Sequence, residues 1–239
     1  MNENKPIALE AYEKLAESYS QLAEGKAENG YIEHPAMRKQ LGNVKGLKVL
    51  DAGCGPGILA AYLASQGAMV TAFDVSPKMV QLARQRLGDR GKVLLADMSK
   101  PLSFIEPGEF DIVASSLAID YVRDWSVPLK EFWKALRPHG RLVFTVQHPI
   151  SAFLWYKLSG YTGVQYAESE WKGFGSERVI VPDHYRSFEE MVNPLIDAGF
   201  TLLRVTDTKP AEALKGRDWE AYEKYTRMPP FMCLEAVKA

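Results

Sequence analysis

Asp51, Asp74 and Asp97 each close an apolar run, and Asp51 is followed at alternate positions by Gly53, Gly55 and Gly57. Glycine has no Cβ, so such a turn passes through positive φ and lets a ligand lie directly on the main chain. The N–H groups at the start of the following helix favour electron-rich ligand atoms. Asp74 follows the turn at roughly 20 residues, the separation at which a carboxylate accepts hydrogen bonds from a ribose diol. Asp97 could accept a hydrogen bond from an adenine amino group while the apolar Met98 covers the ring. Asp51 discriminates between ligands: beside the turn it repels a pyrophosphate and attracts an amino or sulfonium group. A dinucleotide turn also calls for Gly or Ala three positions after its second glycine, where this chain has Ile58. A single strand-end aspartate is as readily an N-cap or turn former. Three in register, together with the glycines, point to a site.

The elements that must position these groups are legible as an alternation. Strand patterns over 47–52, 69–73, 93–96, 110–117 and 142–146 are apolar on both faces, and helical patterns cover 57–66, 77–87 and 128–136. Ser76 and Pro77 read as N-cap and first helical position. This implies a parallel sheet covered by helices. Upstream, 7–28 is amphipathic and helical, with Tyr12 and Tyr19 either packed on one face or, for Tyr19, reaching the ligand. A short helix over 35–41 follows. Residues 149–182 break the rhythm with aromatics and glycines, and read as an irregular insertion over the sheet's C-terminal edge with a short strand at 179–181. A helix over 188–198 and strands over 200–206 and 231–237 complete the pattern, the last two strands pairing antiparallel at one edge.

The 239 residues are 46% hydrophobic and 25% charged, with a formal net charge of −1. That length suits one domain, divided into an N-terminal helical lid (1–44), a ligand-binding core (45–148), the aromatic insertion (149–182) and the C-terminal part of the sheet (183–239). The near-zero charge gives no pull towards nucleic acid or an anionic membrane. No apolar run approaches the roughly 20 residues of a membrane span, and the polar start MNENKP is not a signal peptide. Cys54 and Cys233 lie far apart without metal-type spacing, so no metal is expected and a reduced, cytoplasmic protein is.

The stretch VLDAGCGPG at 49–57 resembles the first motif of the class I S-adenosylmethionine-dependent methyltransferases, in the large group that acts on small molecules. FDVSPKMVQLAR (73–84) is similar to the second motif, LLADM (94–98) to the third, and FDIVASSLAIDYV (110–122) to the strand-four motif. LRPHGRLVFTV (136–146) is similar to the passage into strand five, and the match is looser beyond 147. The resemblance implies an α/β, Rossmann-like, seven-stranded and mostly parallel sheet with helices on both faces. Its last strand would be antiparallel, with N-terminal helices and an insertion after strand five. It implies S-adenosyl-L-methionine as cofactor and S-adenosyl-L-homocysteine as product. Gly53, Cys54 and Gly55 would lie along the methionine portion, with Gly57 completing the turn and Tyr19 reaching in from the lid. Asp51 would hold the amino group, directly or through water. Asp74 would bind the ribose beside Val75 and Ser76, Asp97 and Met98 would meet the adenine, and Ser115, Ser116 and Leu117 would lie under the cofactor. After strand four the chain reads SSLAIDYV (115–122) rather than the Asn- or Asp-Pro-Pro-aromatic signature of enzymes methylating amino groups of nucleic-acid bases, which weakens such a substrate.

The implied reaction is in-line SN2 attack by a small-molecule acceptor on the sulfonium methyl. Positioning alone supplies roughly 7–11 kcal/mol of barrier reduction, and an alcohol or phenol acceptor also benefits from a base. His148, held extended by Pro149 at the end of strand five, and His34 on the lid are the candidate bases; a hydrogen-bonded structural histidine is the alternative for His148. Tyr121, Trp125, Trp155, Tyr156 and Trp171 offer aromatic walls for a flat, apolar or cationic acceptor, or else a satellite core. Arg186 either receives a substrate anion or stands as a solvated surface charge. Two rival functions remain: an NAD(P)-linked oxidoreductase, against which Asp51 and Ile58 speak, and a non-catalytic S-adenosylmethionine-binding protein. A monomer or homodimer is expected.

Overall fold

The computed structural model describes residues 5–172, 174 and 178–239; residues 1–4, and 173 and 175–177 of the expected insertion, lie outside the described residues. The chain runs α1 (Leu9–Leu22), α2 (His34–Leu41), β1 (Lys48–Ala52), α3 (Ile58–Ser65), β2 (Met69–Asp74), α4 (Pro77–Leu87) and β3 (Gly91–Leu95). It continues with β4 (Phe110–Ser116), α5 (Ser126–Ala135), β5 (Leu136–Gln147), α6 (Pro149–Tyr156), β6 (Val164–Trp171) and β7 (Val179–Arg186). It ends with α7 (Phe188–Asp197), β8 (Phe200–Asp207), α8 (Ala213–Arg217), α9 (Trp219–Arg227) and β9 (Phe231–Lys238).

Seven strands form one sheet in the order β3-β2-β1-β4-β5-β9-β8. β1 to β5 pair in parallel, and β9 runs antiparallel between β5 and β8. Both the parallel core and the antiparallel edge are as the sequence implied. Alternate residues of each strand enter opposite layers. Leu50, Phe73, Val113 and Phe144 pack with α5 and α7 on one face. Val49, Ala72, Ile112 and Val143 pack with α2, α3 and α4 on the other. Burial on both faces is why these strands read as continuous apolar runs. The chain leaves β1 in one direction and returns to β4 on its other side, so the crevice beyond their C-terminal ends is a topological switch point.

The insertion differs from its sequence reading. Instead of an irregular loop with a short strand at 179–181, it forms α6 and a regular antiparallel hairpin, β6–β7, paired from Val164↔Arg186 to Trp171↔Val179. Val179 and Val181 pack against Ala11 and Leu15 of α1, so the hairpin and the N-terminal helix form one small core above the sheet. Among the described residues, no helix is long and apolar enough to cross a membrane.

Candidate functional site

A cavity of about 1310 Å³ opens beyond the C-terminal ends of β1 to β4. Its floor is the glycine turn, its sides are the strand ends, and its roof is α1, His34 and the β6–β7 hairpin. Pockets for a single ligand usually measure roughly 300–1,000 Å³, so there is room here for a nucleoside-sized cofactor and a second small molecule.

The turn is fixed from β2. The N–H groups of Gly53 and Cys54 both donate to the Phe73 carbonyl at 2.9 Å, and the Asp74 carboxylate accepts from Gly55 N at 2.8 Å and Ser76 N at 2.9 Å. Gly53 sits at φ +75°, and a Cβ there would lie 2.4 Å from the Ala118 Cβ and 2.8 Å from the Met98 Cε. Glycine is therefore required both for the conformation and for the approach of two cavity-lining side chains. Ser76 caps α4 by accepting from Met79 N at 3.1 Å. Its hydroxyl in turn donates to Glu13 of α1, which also accepts from Lys78 N at 3.1 Å. These bonds tie the N-terminal helix to the edge of the cavity.

Asp51 is fully buried and faces the cavity, and among the described residues neither carboxylate oxygen has a hydrogen-bond partner in good geometry, the Ala60 N–H exerting only a minor lowering pull. A buried, unpaired carboxylate is costly, and this one is held protonated: burial pushes it up to about 8, with Asp74 and Glu33 adding to the effect. An orphaned carboxyl on a glycine cradle fits the amino group of the expected cofactor. It also makes the ligand-free protein sensitive to pH. A carboxyl whose folded value lies above its ordinary 3.8 adds stability below that ordinary value and loses it as pH rises through the folded value. Asp120, also pushed up to about 8 by burial and by Asp183, acts in the same sense. The melting temperature of the ligand-free protein, followed by calorimetry, should fall between pH 5 and pH 8 by at least roughly 2–4 °C, and Asp51→Asn should flatten that fall.

Of the residues expected at the cofactor, Tyr19, Asp51, Gly53, Cys54, Gly55, Asp74, Val75, Ser76, Asp97, Met98, Ser116 and Leu117 line the cavity. Two do not. Gly57 lies under α4, where a Cβ would meet the Ala83 Cα at 2.9 Å, so its role is helix packing. Ser115 is buried in the sheet and donates to the Ala52 carbonyl at 2.9 Å, linking β4 to β1. Asp97 is partly engaged locally, accepting from Ser99 N at 2.9 Å with Lys100 Nζ at 3.3 Å. Leu117 holds φ +47°, a strained conformation for leucine. Its N–H donates to the Thr145 carbonyl at 3.1 Å, which fixes it there.

The expected acceptor walls are mostly elsewhere. Tyr121 lines the cavity, its hydroxyl 2.7 Å from that of Tyr12. Trp125 is core: 2% exposed, edge-on to Phe144, its indole N–H donating to the Ile119 carbonyl. Trp155 is 64% exposed on the outer face of α6. Tyr156 bonds Gln147 and Asp183 behind the cavity wall. Trp171 packs on Tyr12, Tyr19 and Phe174 as part of the small upper core. The walls are instead Val164, Tyr166, Pro182 and His184 of the hairpin. The sequence marks Tyr166 as one of the insertion's aromatics and His184 as a third candidate histidine, but Val164 and Pro182 were missed because the hairpin itself was missed.

His34 lines the cavity, and burial, with help from Arg38 and Arg86, pushes it down to about 4. His184 is likewise pushed down to about 4 by burial and by Arg186 and Arg123. Both imidazoles are neutral at pH 7. His148 is not in the cavity. Its Nδ1 accepts from Ile150 N at 3.3 Å as the N-cap of α6, and its Nε2 lies 3.3 Å from Asp207. His148→Ala should therefore leave methyl transfer and cofactor affinity undiminished, while chemical denaturation shows a loss of about 0.5–2 kcal/mol for the missing cap.

Residues 50–144 match the methyltransferase domain family. Over 142 residues the chain is 31% identical to a malonyl-[acyl-carrier protein] O-methyltransferase of Pseudescherichia vulneris, covering 59% of this chain and 54% of that protein. Over 118 residues it is 40% identical to a magnesium-protoporphyrin O-methyltransferase of Rhodobacter capsulatus, covering 47% of this chain and 50% of that one. The chain thus spans about half the length of these curated relatives. The crystal structure of an S-adenosylmethionine dependent methyltransferase from Mesorhizobium loti superposes with a TM-score of 0.69 at 28% identity, covering 90% of this chain and 99% of that one.

Proposed function

We propose that the chain is a class I S-adenosylmethionine-dependent methyltransferase that methylates an oxygen of a small-molecule acceptor, a reading supported by the domain match over residues 50–144 and by the Mesorhizobium loti structure. When bound, the cofactor supplies a methyl group already activated on a sulfonium. The observation that carries the reading is the buried, unpartnered Asp51 carboxyl on the glycine cradle, a group that calls for a cationic partner. Asp74 would hold the ribose and Met98 would cover the adenine. The rest of the cavity is the acceptor's. Tyr121, Tyr166 and His184 offer polar atoms to orient it, while Val164 and Pro182 exclude water. The work of the protein is then chiefly proximity and orientation. Neutral His34 and His184 accept hydrogen bonds from a hydroxyl acceptor rather than repel a cation. An oxygen acceptor is supported by the relatives named as O-methyltransferases.

The test is isothermal titration with S-adenosylmethionine, S-adenosylhomocysteine and NAD, followed by methyl transfer across a panel of hydroxylated and carboxylated metabolites. The first two should bind and NAD should not; binding of NAD alone would restore the oxidoreductase reading. The N-terminal segment over the described residues 5–44 would act as a lid, since Leu9, Tyr12, Tyr19 and His34 roof the cavity. Hydrogen exchange across α1 should slow on cofactor addition, and unchanged exchange would rule the lid out.

A further inference from the structure

Glu33 closes a wide, π-type helical turn (Asn29–Glu33) just before α2 and is fully buried. Its Oε1 accepts from Ser116 Oγ at 2.7 Å and Thr145 Oγ1 at 2.6 Å, so a carboxyl from the N-terminal segment is clamped onto the C-terminal ends of β4 and β5. Its Oε2 has no hydrogen-bond partner. Three of its neighbours, His34, Ser116 and Tyr19, line the cavity, as does Asp51, whose titration its charge perturbs. Two buried carboxyls thus carry unpartnered oxygens, Asp51 on the cavity wall and Glu33 directly behind the lining residues His34 and Ser116. We propose that Glu33 is a second carboxyl partner for the cofactor's α-ammonium group, alongside Asp51, and that it releases its proton to solvent when the cofactor binds.

The inference rests on the S-adenosylmethionine reading of the cavity and adds to it a residue outside the glycine motif. The chemistry balances simply: a carboxylic acid O–H ionises, the proton leaves to buffer, and the carboxylate pairs with an ammonium that stays protonated. Burial holds the Glu33 carboxyl above its ordinary range against the pull of the Thr145 and Ser116 hydroxyls and the Arg38 charge. Among the described residues, no neighbour supplies a compensating cation at close range. His34 Nε2 is 3.8 Å from Oε2, but that imidazole is neutral. The Arg38 guanidinium lies over the Tyr62 ring and within 3.9 Å of Glu24. The titratable groups facing Glu33 are His34 and Arg38 from its own segment, Tyr19 from α1, Asp51 from β1 and Cys233 from β9. Burial raises Tyr19 and Cys233 away from neutrality, and His34 is already deprotonated, so the groups at this corner with a proton for an incoming ammonium to draw off are the two carboxyls that burial raises, Asp51 and Glu33.

The experiment is calorimetry of S-adenosylhomocysteine and of 5′-methylthioadenosine, which shares the nucleoside thioether but lacks the amino acid. Each is titrated at pH 7 in buffers of different ionisation enthalpy, which counts protons released. Wild-type protein should release protons with S-adenosylhomocysteine and not with 5′-methylthioadenosine. Glu33→Gln, which keeps an acceptor for Ser116 and Thr145, should release fewer and bind S-adenosylhomocysteine roughly tenfold more weakly, with 5′-methylthioadenosine unchanged. Equal proton release in both proteins, or equal weakening of both ligands, would overturn the role of Glu33. Should Glu33→Gln fail to fold, Asp51→Asn serves instead: proton release that persists there supports Glu33, and release abolished there overturns it. Absence of any S-adenosylhomocysteine binding to the wild type would overturn the cofactor reading itself, and this inference with it.

Discussion

Asp74→Ala should raise the dissociation constant for S-adenosylhomocysteine by at least roughly 100-fold, measured by isothermal titration. The carboxylate has two jobs. It accepts from Gly55 N and Ser76 N, so it links the glycine turn after β1 to the start of α4. It also faces the cavity, where its remaining lone pairs are free for a ribose diol. Hydrogen bonds to a charged group are worth about 1.5–3 kcal/mol each, and two together correspond to a factor of about 10² or more in affinity. On the proposed reading alanine would remove both ribose bonds, and it leaves the Gly55 and Ser76 N–H groups unpaired. Asp97→Ala should cost far less, because Ser99 and Lys100 already engage that carboxylate and its bond would be single. If Asp74→Ala weakened binding less than threefold, the ribose would have to lie elsewhere.

That prediction starts from a residue visible in the sequence, and the reason is local. A strand, a turn and a helix each carry their signal within a few residues, so the parallel core, the glycine turn and the strand-end acids could be read directly. Glu33 could not. Its partners Ser116 and Thr145 are brought to it only by the fold, and nothing in EHPAM marks the acid as buried. The β6–β7 hairpin was hidden because its strands carry Glu168, Glu170 and Asp183 among the apolar residues, and the sequence between them, 172–178, is glycine-containing and polar. The dipeptide His148-Pro149 was read correctly as an extended residue before proline, yet the same pattern is a helix N-cap followed by proline at the first helical position. Trp125 illustrates the remaining gap. An aromatic after strand four fits a pocket wall or a core equally well until Phe144 is seen packed edge-on to it.

Arg186 was read as an anion receptor or a solvated surface charge, and the structure shows neither. It is 2% exposed, its guanidinium 4.5 Å above the Trp125 ring. Nη1 donates to the carbonyls of His184 at 3.1 Å and Asp120 at 3.4 Å; Nη2 donates to those of Arg123 at 2.6 Å and Val122. The side chain therefore staples the end of β7 to the segment that carries Tyr121, one wall of the cavity. Burial lowers it to about 10 against the pull of Asp120 and Asp183, so it stays charged at neutral pH. Arg186→Ala would leave these carbonyls without their donor, open a void beside Trp125, and remove the cation nearest to two buried carboxyls. Breaking a buried charged network of this kind costs about 3–5 kcal/mol, a large share of the about 5–15 kcal/mol that holds a domain folded. Urea denaturation should show a lower midpoint with an unchanged slope. Lysine should not rescue it, because one ammonium cannot reproduce the flat fork that meets several carbonyls while stacking on the indole. A midpoint equal to the wild type's would mean that water replaces the guanidinium without penalty, and that the hairpin is held over the cavity by α1 alone.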